Sequence, residues 1–426
     1  MKSRALASMN NKADGTAMGK EISQKLMPKL RFPEFRDLDG WVMAHLGDLF
    51  TNRQESGMSD LPLLSLMDKE GIVPQENSNR KNNSSNDKSR YLRVVPGDIA
   101  YNTMRMWEGR SALVGIEGLV SPAYTVCRPK EKVCGQFFSY YFKTAEIIGL
   151  FRRYSQGLVK DTLNLKYDVF SKIPVFSPSI SEQQKIADCL SSIDELIAVQ
   201  TQKLDALKAH KKGLMQNLFP REGETIPRYR FPEFRDAPEW NYQRVSKISD
   251  SLDSRRIPIT ESERVHGDIP YYGASGIVDY VADYIFDDDL LCISEDGANL
   301  VARTSPVAFS ISGKTWVNNH AHVLKFSHRA TQVIVEEYIN SIPLDDFLTG
   351  MAQPKLNKAM LDSIPIPLPT SDEQKLIASS IQTANGCIRC QTGTLEVLKA
   401  HKKGLMQQLF PREIESEKLE IRSEKL

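Results

Sequence analysis

The sequence lacks any apolar run long enough to cross a membrane, because no stretch reaches about 18 consecutive apolar residues. Residues 1–28 also lack the apolar centre of a secretory signal, and their aperiodic mixture of Asn, Lys, Ser and Met predicts a disordered tail. Cysteine is scarce: six in 426 residues are too few for a disulfide framework and suit reduced thiols. We therefore expect a cytoplasmic protein without membrane contact.

An excess of charge of one sign is also missing. The chain carries 55 Lys and Arg residues against 54 Asp and Glu residues, a net charge of +1. A protein that binds nucleic acid by itself is usually strongly basic. A role on DNA would therefore require basic residues gathered on one face, or a partner that contributes positive charge. With 41% hydrophobic residues, the chain can still bury substantial cores.

No complete catalytic signature is present. Residues 308–315, AFSISGKT, approach a phosphate-binding loop, but Ala308 stands where that loop needs glycine. The segment that follows, Trp316-Val317-Asn318, favours a strand rather than the helix that such a loop requires. There is also no glycine-rich cofactor loop and no Asn/Asp-Pro-Pro-aromatic motif of amino-methyltransferases. The sequence therefore predicts a protein with no catalytic residues.

Two short groups of possible metal ligands have simpler interpretations. Cys387 and Cys390 have CxxC spacing but no second pair, and they fall in a helical pattern where we expect them to pack. His320 and His322 alternate on one face of a predicted strand, without a carboxylate or cysteine at convincing spacing. A polar or base-contacting role is the better interpretation of this pair, and no metal is expected.

The chain contains one pattern written twice. RFPEFRDLDGW at residues 31–41 returns as RFPEFRDAPEW at residues 230–240, with eight of eleven positions identical. LKAHKKGLMQNLFPRE at residues 207–222 returns as LKAHKKGLMQQLFPRE at residues 398–413, with fifteen of sixteen identical. Chance does not produce such matches, and an internal repeat decides the organisation of the chain.

The repeated parts form a frame around two unlike segments. The offset of 191 residues also aligns Glu182-Gln183 with Glu373-Gln374. Residues 42–172 and 241–363, which lie inside the frame, differ in length and show little similarity to each other. This division predicts that the frame holds a common partner, while each variable segment reads something of its own.

Each copy also contains a long helical pattern without proline, in which apolar residues recur at alternating steps of three and four. Helices of about 38 residues would be about 57 Å long. They can each pack on their own domain or pair with each other, and we favour an antiparallel coiled coil that relates the copies by pseudo-twofold symmetry. Gln200, Gln391, Lys211 and Lys402 are polar insertions that would fix its register. The predicted helix-pair seam is Ile186, Leu190, Ile193, Ile197, Leu204, Leu207, Leu214, Ile377, Ile381, Ile388, Leu395, Leu398 and Leu405.

The two variable segments are predicted to be strand-rich, because short apolar runs are bounded by turn residues. These runs are Leu61–Leu66, Tyr91–Val95, Asp98–Asn102, Ala112–Ile116 and Tyr124–Cys127 in the first segment, and Ile269–Tyr272, Leu290–Ser294, Ser305–Ser310 and His322–Phe326 in the second. Helical stretches follow near Phe137–Tyr154 and Gln332–Phe347. The expected fold class is α/β (α+β), with two globular strand-rich domains and two long helices. The predicted parts are a tail over 1–28, a first domain over 29–179, a long helix over 180–220, a second domain over 221–369, a long helix over 370–411 and a tail over 412–426.

The matched frames resemble a known family. The duplicated RFPEFRD…W and IP…EQ…LKAHKKGLMQ.LFP elements, with unlike segments between them, resemble the specificity subunit of type I restriction-modification enzymes from about residue 27 to residue 413. GDIAYNTMRMWEGR at 97–110 and GLVSPAYTVCRP at 118–129 are similar to a target-recognition-domain pattern of that family. The second copy offers IPYYGASGIVDYVADYIF and WVNNHAHVL.

The resemblance implies a non-catalytic DNA-recognition subunit. Each variable segment, as a target recognition domain, would contact one half of an asymmetric, bipartite site on double-stranded DNA, and the paired helices would set the gap between the halves. The implied partners are two methyltransferase (M) subunits that grip the helices and frames, and two restriction/translocase (R) subunits outside them. S-adenosylmethionine, ATP and Mg²⁺ would belong to those partners, so no cofactor is expected in this chain.

Sequence reading needs side chains that reach base edges, such as Arg or Lys for guanine and Asn or Gln for adenine, with further cations on phosphates. Candidates cluster in a polar-aromatic stretch of the first domain, in an Asn/Ser-rich loop before it, and in short turns of the second domain. For each candidate, a role in the core, in a turn or on the solvated surface is the alternative. The predicted DNA-binding residues are Lys81, Lys88, Arg90, Asn102, Arg105, Trp107, Arg110, Ser275, Asn299, Asn318, Asn319 and His320.

Two other functions stay open at the level of the sequence. A fused restriction-methylation enzyme would need catalytic motifs and additional chain, neither of which the sequence offers. An assembly scaffold would use the helices to dock other proteins without touching DNA. Replacing residues 42–172 by the corresponding domain of a relative separates these alternatives, because only a reader would change its DNA site.

Overall fold

A computed structural model of the chain describes residues 25–67, 71–78, 84–85, 87–350 and 353–412. Contacts divide it into two units, of which the first holds the residues up to Ile197 and those from Val397 onward, and the second holds Ala198–Glu396. Residues 1–24 of the tail predicted to be disordered, and the predicted C-terminal tail from residue 413, lie outside the described residues. Lys25–Leu26, which the sequence placed in that first tail, form a strand instead.

The first unit contains the first elements of the chain, and most of the strands predicted for its variable segment are present. They are β1 (Lys25–Leu26), β2 (Trp41–His45), α1 (Leu46–Leu49), β3 (Phe50–Asn52), β4 (Leu64–Met67), β5 (Gly71–Pro74), β6 (Leu92–Val94), β7 (Ile99–Asn102), β8 (Ser111–Leu113), β9 (Gly118–Val120), β10 (Tyr124–Pro129), α2 (Gly135–Tyr141), α3 (Ala145–Tyr154), α4 (Tyr167–Phe170), β11 (Pro174–Ser177) and the long helix α5 (Ile180–Leu218), which continues into the second unit.

The second unit repeats this order with differences in its middle. Its further elements are β12 (Asn241–Arg244), α6 (Val245–Ile248), β13 (Asp250–Ser251), β14 (His266–Gly273), β15 (Gly276–Val281), β16 (Phe286–Asp287), β17 (Leu290–Ser294), α7 (Asn299–Ala302), β18 (Ala308–Ile311), β19 (Lys314–Val317), β20 (Ala321–Lys325), α8 (Arg329–Ser341), α9 (Lys358–Ser363), β21 (Pro365–Leu368) and the long helix α10 (Ser371–Leu409), which ends in the first unit.

Both units contain a four-stranded antiparallel sheet with the same strand order. It is β3-β10-β7-β8 in the first unit and β13-β20-β17-β18 in the second. The second unit adds the sheet β15-β14-β19-β16, whereas the first has the smaller pairs β4-β5 and β6-β9. The expected mixed fold with two strand-rich domains and long helices is confirmed. The predicted helical stretch Phe137–Tyr154 is two helices, α2 and α3.

The repeated RFPEFRD motif is fastened to a long helix by a buried ion pair in each unit. The guanidinium of Arg31 binds both carboxylate oxygens of Glu182, with Nε–Oε1 2.8 Å and Nη2–Oε2 2.7 Å, and the side chains are 6% and 1% exposed. Arg230 binds Glu373 with distances of 2.9 and 2.7 Å and the same two exposures. The duplicated Arg and Glu are therefore one contact made twice.

Each of these arginines also folds its own motif. Arg31 donates to the backbone carbonyls of Leu38 at 2.8 Å and Asp39 at 3.0 Å, so it closes the loop that follows it. Arg230 does the same with the carbonyls of Ala237 and Pro238, at 2.7 and 2.8 Å. A planar guanidinium can serve a carboxylate and two carbonyls at once because its donors are fixed in a fork.

The glutamine after each glutamate fastens the helix start to the variable segment. Gln183 accepts from the Cys134 backbone N–H at 2.9 Å, next to α2, and donates to the Pro178 carbonyl at 2.9 Å. Gln374 accepts from the Thr331 hydroxyl at 2.7 Å and donates to the Pro369 carbonyl at 2.9 Å. The repeated Glu-Gln pair thus joins three parts of each unit at the first turn of the helix.

The end of a long helix returns to the start of the repeated motif in each unit. The Leu30 N–H donates to the Gln408 carbonyl at 2.9 Å in the first unit, and the Tyr229 N–H donates to the Asn217 carbonyl at 2.9 Å in the second. Phe410 then packs against the Tyr141 ring, with centroids 5.2 Å apart, and Phe219 packs against Trp240 at 5.9 Å. Each unit therefore contains the start of one long helix and the end of the other.

The predicted seam of α5 and α10 faces inward. In both helices every seam position is buried or half-buried, including the polar insertions, and most of the other positions are exposed. Within the second unit, the Gln391 amide donates to the Gln200 side-chain oxygen at 2.6 Å. These positions form the less exposed side of each helix, and their contact with each other as a helix-pair seam stays a prediction. Among the described residues, no helix combines the length and apolarity that a membrane span requires.

Cys387 and Cys390 differ from their prediction. Both lie in α10, but both are exposed, whereas we expected helix packing to bury them. Leu196 and Val199, at the matching positions of α5, are exposed as well. These positions fall between the seam residues, on the side of each helix that the packed elements leave open to solvent.

The seam lysines form a three-residue polar cluster in each unit. In the first, the Lys402 ammonium binds Asp194 of α5 at 2.5 and 2.7 Å, and the Tyr140 hydroxyl of α2 donates to the same carboxylate at 2.8 Å. In the second, Lys211 binds Glu337 of α8 at 2.7 Å, and the Asn385 amide donates to the same Glu337 carboxylate at 2.8 Å. Asp194 and Asn385 occupy matching positions of the repeat, as do Lys402 and Lys211. The carboxylate that binds the lysine therefore comes from a long helix in the first unit and from α8 in the second.

The anchor in the second unit can be tested by removing its arginine. Arg230→Met leaves the Glu373 carboxylate buried without a cation, and the loss of one partner from a buried pair costs about 3–5 kcal/mol. We expect the free energy of unfolding of the second unit to fall by about that amount in denaturant titrations. Arg235→Met, which removes an exposed arginine of the same motif, is the control and should change stability by less than about 0.5 kcal/mol. Equal stability of the two variants would contradict the anchoring role.

Candidate nucleic-acid interface

Four of the predicted DNA-binding residues come together in the hairpin between β7 and β8. Asn102 ends β7, Arg105 precedes the short 3-10 helix Met106–Glu108, Trp107 lies within it, and Arg110 leads into β8. The hairpin closes through the Asn102 N–H, which donates to the Arg110 carbonyl at 3.4 Å. The Asn102 side chain accepts from the Met104 N–H at 2.9 Å and so stabilises the turn.

The two arginines of this hairpin share one carboxylate. Arg105 Nη1 lies 3.4 Å from Glu108 Oε1, and Arg110 Nε lies 3.1 Å from Glu108 Oε2. The Arg105 and Arg110 side chains are 44% and 38% exposed, so this arrangement orients them without burying them completely. Two guanidiniums held at a surface suit bidentate binding of phosphate or of a guanine edge.

Trp107 is half-buried, and its indole N–H donates to the Met104 carbonyl at 3.0 Å. The core residue of this segment is its neighbour Met106, which is fully buried. The indole is therefore fixed in orientation while part of its ring remains at the surface. Whether it touches DNA stays a prediction.

The Asn/Ser-rich loop of the first unit is described only in part. Lys81 lies outside the described residues. Lys88 donates to the Ser84 hydroxyl at 2.7 Å and lies 4.9 Å from the centroid of the Tyr91 ring. Arg90 is exposed. The loop therefore presents at least one cation to solvent, and a contact of Lys88 or Arg90 with the DNA backbone stays a prediction.

In the second unit the predicted residues gather around the carboxyl end of β17. The turn Asn318-Asn319-His320 precedes β20, and the Asn318 side chain, which is buried, accepts from the His320 N–H at 2.8 Å. The exposed His320 ring has its Nδ1 2.8 Å from the Asp296 carboxylate. Ser275 is exposed at the tip of the β14–β15 hairpin, and the preceding Ala274 carbonyl accepts from Ser294 at the end of β17.

Asn299 uses its side chain within its own loop. Its Oδ1 accepts from the Thr304 hydroxyl and from the Ser305 N–H, each at 3.0 Å, and its Nδ2 donates to the Ser305 carbonyl at 3.0 Å. The amide thereby fixes the loop after α7. Of the five predicted residues of this unit, Asn319, Ser275 and His320 keep exposed side chains, and base contact by any of them stays a prediction.

His320 and His322 do not lie on one face as we expected. β20 begins at Ala321, so His320 belongs to the turn and is 52% exposed, whereas His322 lies in the strand and is 2% exposed. The His322 Nδ1 is 2.6 Å from Asp253, and its Nε2 is 2.8 Å from the Leu356 carbonyl. In the part of the chain that the structure describes, no group of three His, Cys, Asp or Glu is arranged to hold a metal ion.

A buried charged cluster that the sequence did not reveal holds these turns together. Arg256 binds Glu295, just after β17, at 2.7 Å and also donates to the Ala321 carbonyl at 2.8 Å. Asp253 accepts from His322 and from the Val323 N–H. No spacing in the sequence connects these residues, because they come from three separate segments.

The pKa values of two carboxylates of this cluster are shifted in the same direction. Burial favours a higher pKa for Asp253, but hydrogen bonds from His322 and the Val323 N–H, with the charges of His322 and Arg256, hold its pKa below the usual range. Burial also opposes ionisation of Glu295, yet Arg256, His322 and Lys355 together lower the pKa of Glu295. Both groups are thus stabilised as anions by neighbouring cations.

The segment that imitates a phosphate-binding loop is a tight turn between strands of two different sheets. β18 and β19 are joined through Gly313, whose φ of 71° suits a tight turn. The residues after Lys314 continue as a strand, as the sequence predicted, and therefore provide no helix N-terminus for phosphate.

Comparison with known proteins agrees with this organisation. The family profile described as type I restriction modification DNA specificity domain matches residues 39–209 and 238–400. The type I restriction enzyme MjaVIII specificity subunit of Methanocaldococcus jannaschii is 22% identical over 434 residues, which cover 92% of this chain and 96% of that protein. A Haemophilus influenzae protein named as a type I restriction enzyme specificity subunit is 34% identical over 134 residues, about a third of each chain. The S subunit structure from M. genitalium superposes with a TM-score of 0.63 at 13% identity, covering 91% of this chain and all of that one.

The charged cluster around Asp253 predicts a pH dependence. Because the pKa values of Asp253 and Glu295 are lowered by folding, their contribution to stability is complete above the ordinary range of these groups, about 3.9–4.3, and is lost as the pH falls through the lowered values. Asp253→Asn should therefore lower the unfolding temperature at pH 7 and differ less from the unchanged protein near pH 3. The exposed Asp268→Asn is the matched control for scanning calorimetry at the two pH values. If Asp253→Asn lowers the unfolding temperature equally at the two pH values, the ionised Asp253 carboxylate does not stabilise the fold.

Proposed function

The chain belongs to the type I restriction-modification DNA specificity family, and on that premise we propose that its two units read the two halves of an asymmetric, bipartite DNA site. Membership of this family gives the chain a non-catalytic role in DNA sequence recognition within a restriction-modification system. One observation carries the finer proposal. The same Arg–Glu anchor and the same four-stranded sheet support two unlike sets of surface residues.

The residues at matching places of the two sheets differ in a way that suits different target bases. The segment after β7 presents Arg105, Trp107 and Arg110, whereas the segments around the end of β17 present Asn319 and His320. Arginine prefers guanine, and asparagine prefers adenine, because of their donor and acceptor patterns. Unlike half-sites therefore follow from unlike side chains on a common support.

We further propose that α5 and α10 form the antiparallel coiled coil that their sequences predict. Two contacts support this direction, since residue numbers rise along one helix while they fall along the other. Within the second unit, Gln200 of α5 binds Gln391 of α10, and Lys211 of α5 shares the Glu337 carboxylate with Asn385 of α10. Each helix has 39 residues and is about 58 Å long, which exceeds the one-turn spacing of about 34–36 Å between neighbouring DNA half-sites. The helix pair would set the gap between the half-sites.

The repeated frame offers a docking surface for the implied partners, two M subunits with two R subunits outside them. Packing explains why buried frame residues recur, but exposed ones recur as well. Lys208, His210 and Lys212 are exposed on α5, and the matching Lys399, His401 and Lys403 are exposed on α10. Identical exposed side chains in two places suit two copies of one partner. S-adenosylmethionine, ATP and Mg²⁺ would be bound by these partners.

Domain exchange tests the proposal as a whole. Replacing residues 42–172 by the matching segment of a relative with a known site should change one half of the methylated sequence and leave the other half unchanged. The measurement is the map of methylated adenines in cells that carry the complete system, with the unexchanged chain as control. An unaltered map in cells that still methylate would refute reading by the first unit and would favour the scaffold alternative.

The hairpin between β7 and β8 can be tested separately. Arg105→Ala with Arg110→Ala should weaken binding of the first half-site, since each good bidentate base contact contributes about 1–3 kcal/mol. Affinity of the assembled methyltransferase complex for duplexes with substitutions in either half-site is the measurement. Arg128→Ala, an exposed arginine of β10, is the control. If the double variant binds as tightly as the control, this hairpin does not read DNA.

A further inference from the structure

Each unit carries a second loop beside its candidate interface that the sequence analysis did not single out. The first tip loop is residues 156–164, after α3, and the second tip loop is residues 349–355, after α8. Gln156 and Asn164 exchange two backbone hydrogen bonds of 2.8 Å, and Thr349 and Lys355 do the same at 2.8 Å. The two loops therefore close in the same way although the first is two residues longer.

A glycine is required at the same place in both tip loops. Gly157 has a φ of 142°, and a Cβ added there would lie 2.6 Å from the Thr162 carbonyl oxygen. Gly350 has a φ of 83°, and its Cβ would lie 2.6 Å from the Gln353 carbonyl oxygen. Since no side chain fits at either position, the backbone conformations at Gly157 and Gly350 each require glycine.

Both tip loops are attached to the candidate interface at matching points. The Leu165 N–H, just after the first loop, donates to the carbonyl of Thr103, which follows β7 and adjoins Asn102, at 2.8 Å. The Leu356 N–H, just after the second loop, donates to the carbonyl of Glu295, which follows β17, at 2.8 Å. β7 and β17 occupy the same position in their sheets. The variable segments have diverged, yet the loop keeps its place beside the surface proposed to read DNA.

The first tip loop presents apolar side chains and cations together. Leu158 is fully exposed and Val159 is 61% exposed. Four exposed cations belong to the loop or flank it, and none of them forms an ion pair among the residues that the structure describes; they are Arg152, Arg153, Lys160 and Lys166. Exposed cations around an apolar tip match a nucleic-acid duplex, whose phosphates attract the cations while its grooves offer apolar base and sugar surfaces.

We propose that the first tip loop is a DNA-contacting element of the first unit, in which Leu158 contacts base or sugar surfaces in a groove and Lys160 contacts a phosphate. The proposal rests on the proposed function and extends it to residues outside the β7–β8 hairpin. The tight base of the loop fixes the direction of the tip, so binding orders little additional chain. The apolar contact would contribute to sequence preference and the cation to affinity alone.

The test uses the full chain assembled with its methyltransferase partners. Leu158→Ser should leave the unfolding temperature unchanged, because the side chain is fully exposed, and should lower the affinity for the specific duplex about tenfold. Lys160→Ala should weaken specific and unrelated duplexes alike and reduce the slope of log affinity against log salt by about one. Ile116→Ser and Lys172→Ala, which change exposed residues of the same unit elsewhere, are the matched controls.

The outcomes separate this proposal from the one on which it rests. If Leu158→Ser and Lys160→Ala bind like their controls while the Arg105 and Arg110 variant loses affinity, the tip loop does not contact DNA and the reading function stands. If the unchanged assembly shows no preference for its own methylated sequence, both proposals fail. Loss of affinity in the tip-loop variants with unchanged unfolding temperatures supports the contact.

Discussion

A buried arginine–glutamate pair in each unit is the contact on which the rest of the structure depends. Arg31 and Arg230 each bind a helix glutamate with both oxygens and close their own loop through two backbone carbonyls. Because the pair is buried, its desolvation cost is met only when all of these bonds form together. The first turn of each long helix and the repeated motif are therefore held in one geometry. That geometry gives each variable segment the same support.

The frame was predictable because its physics is local and repeated. The offset of 191 residues marked Glu182 with Glu373 as partners in role, and the heptad spacing located the less exposed positions of α5 and α10. The strands of the variable segments followed from short apolar runs between turns, as for Leu290–Ser294, which the structure reproduces residue for residue. Periodicity and duplication are properties of a sequence that survive folding unchanged.

The surface was less predictable because its geometry depends on distant contacts. His322 is buried by Asp253 and Leu356, which lie far from it along the chain, so its pairing with His320 in the sequence was misleading. The Asn299 side-chain amide forms hydrogen bonds within its own loop, which no spacing in the sequence could reveal. The tip loops were not predicted because one glycine and one closing pair of backbone hydrogen bonds leave only a weak signal in a sequence. Cys387 and Cys390 were misjudged because the helix face they occupy is set by what packs around it.

The polar clusters of the two units limit which globular parts can be exchanged between the two positions of the chain. In the first unit the acid, Asp194, belongs to the long helix, whereas in the second the acid, Glu337, belongs to the globular part. A globular part transplanted from the first position to the second would bring Tyr140 to a helix that offers Asn385, and Lys211 would have no counter-ion. The reverse transplant would bring two acids to a single lysine. Exchange of the globular parts between the two positions of this chain would therefore leave one lysine unpaired and place two carboxylates beside the other, so the charges of the two clusters match only in the present order.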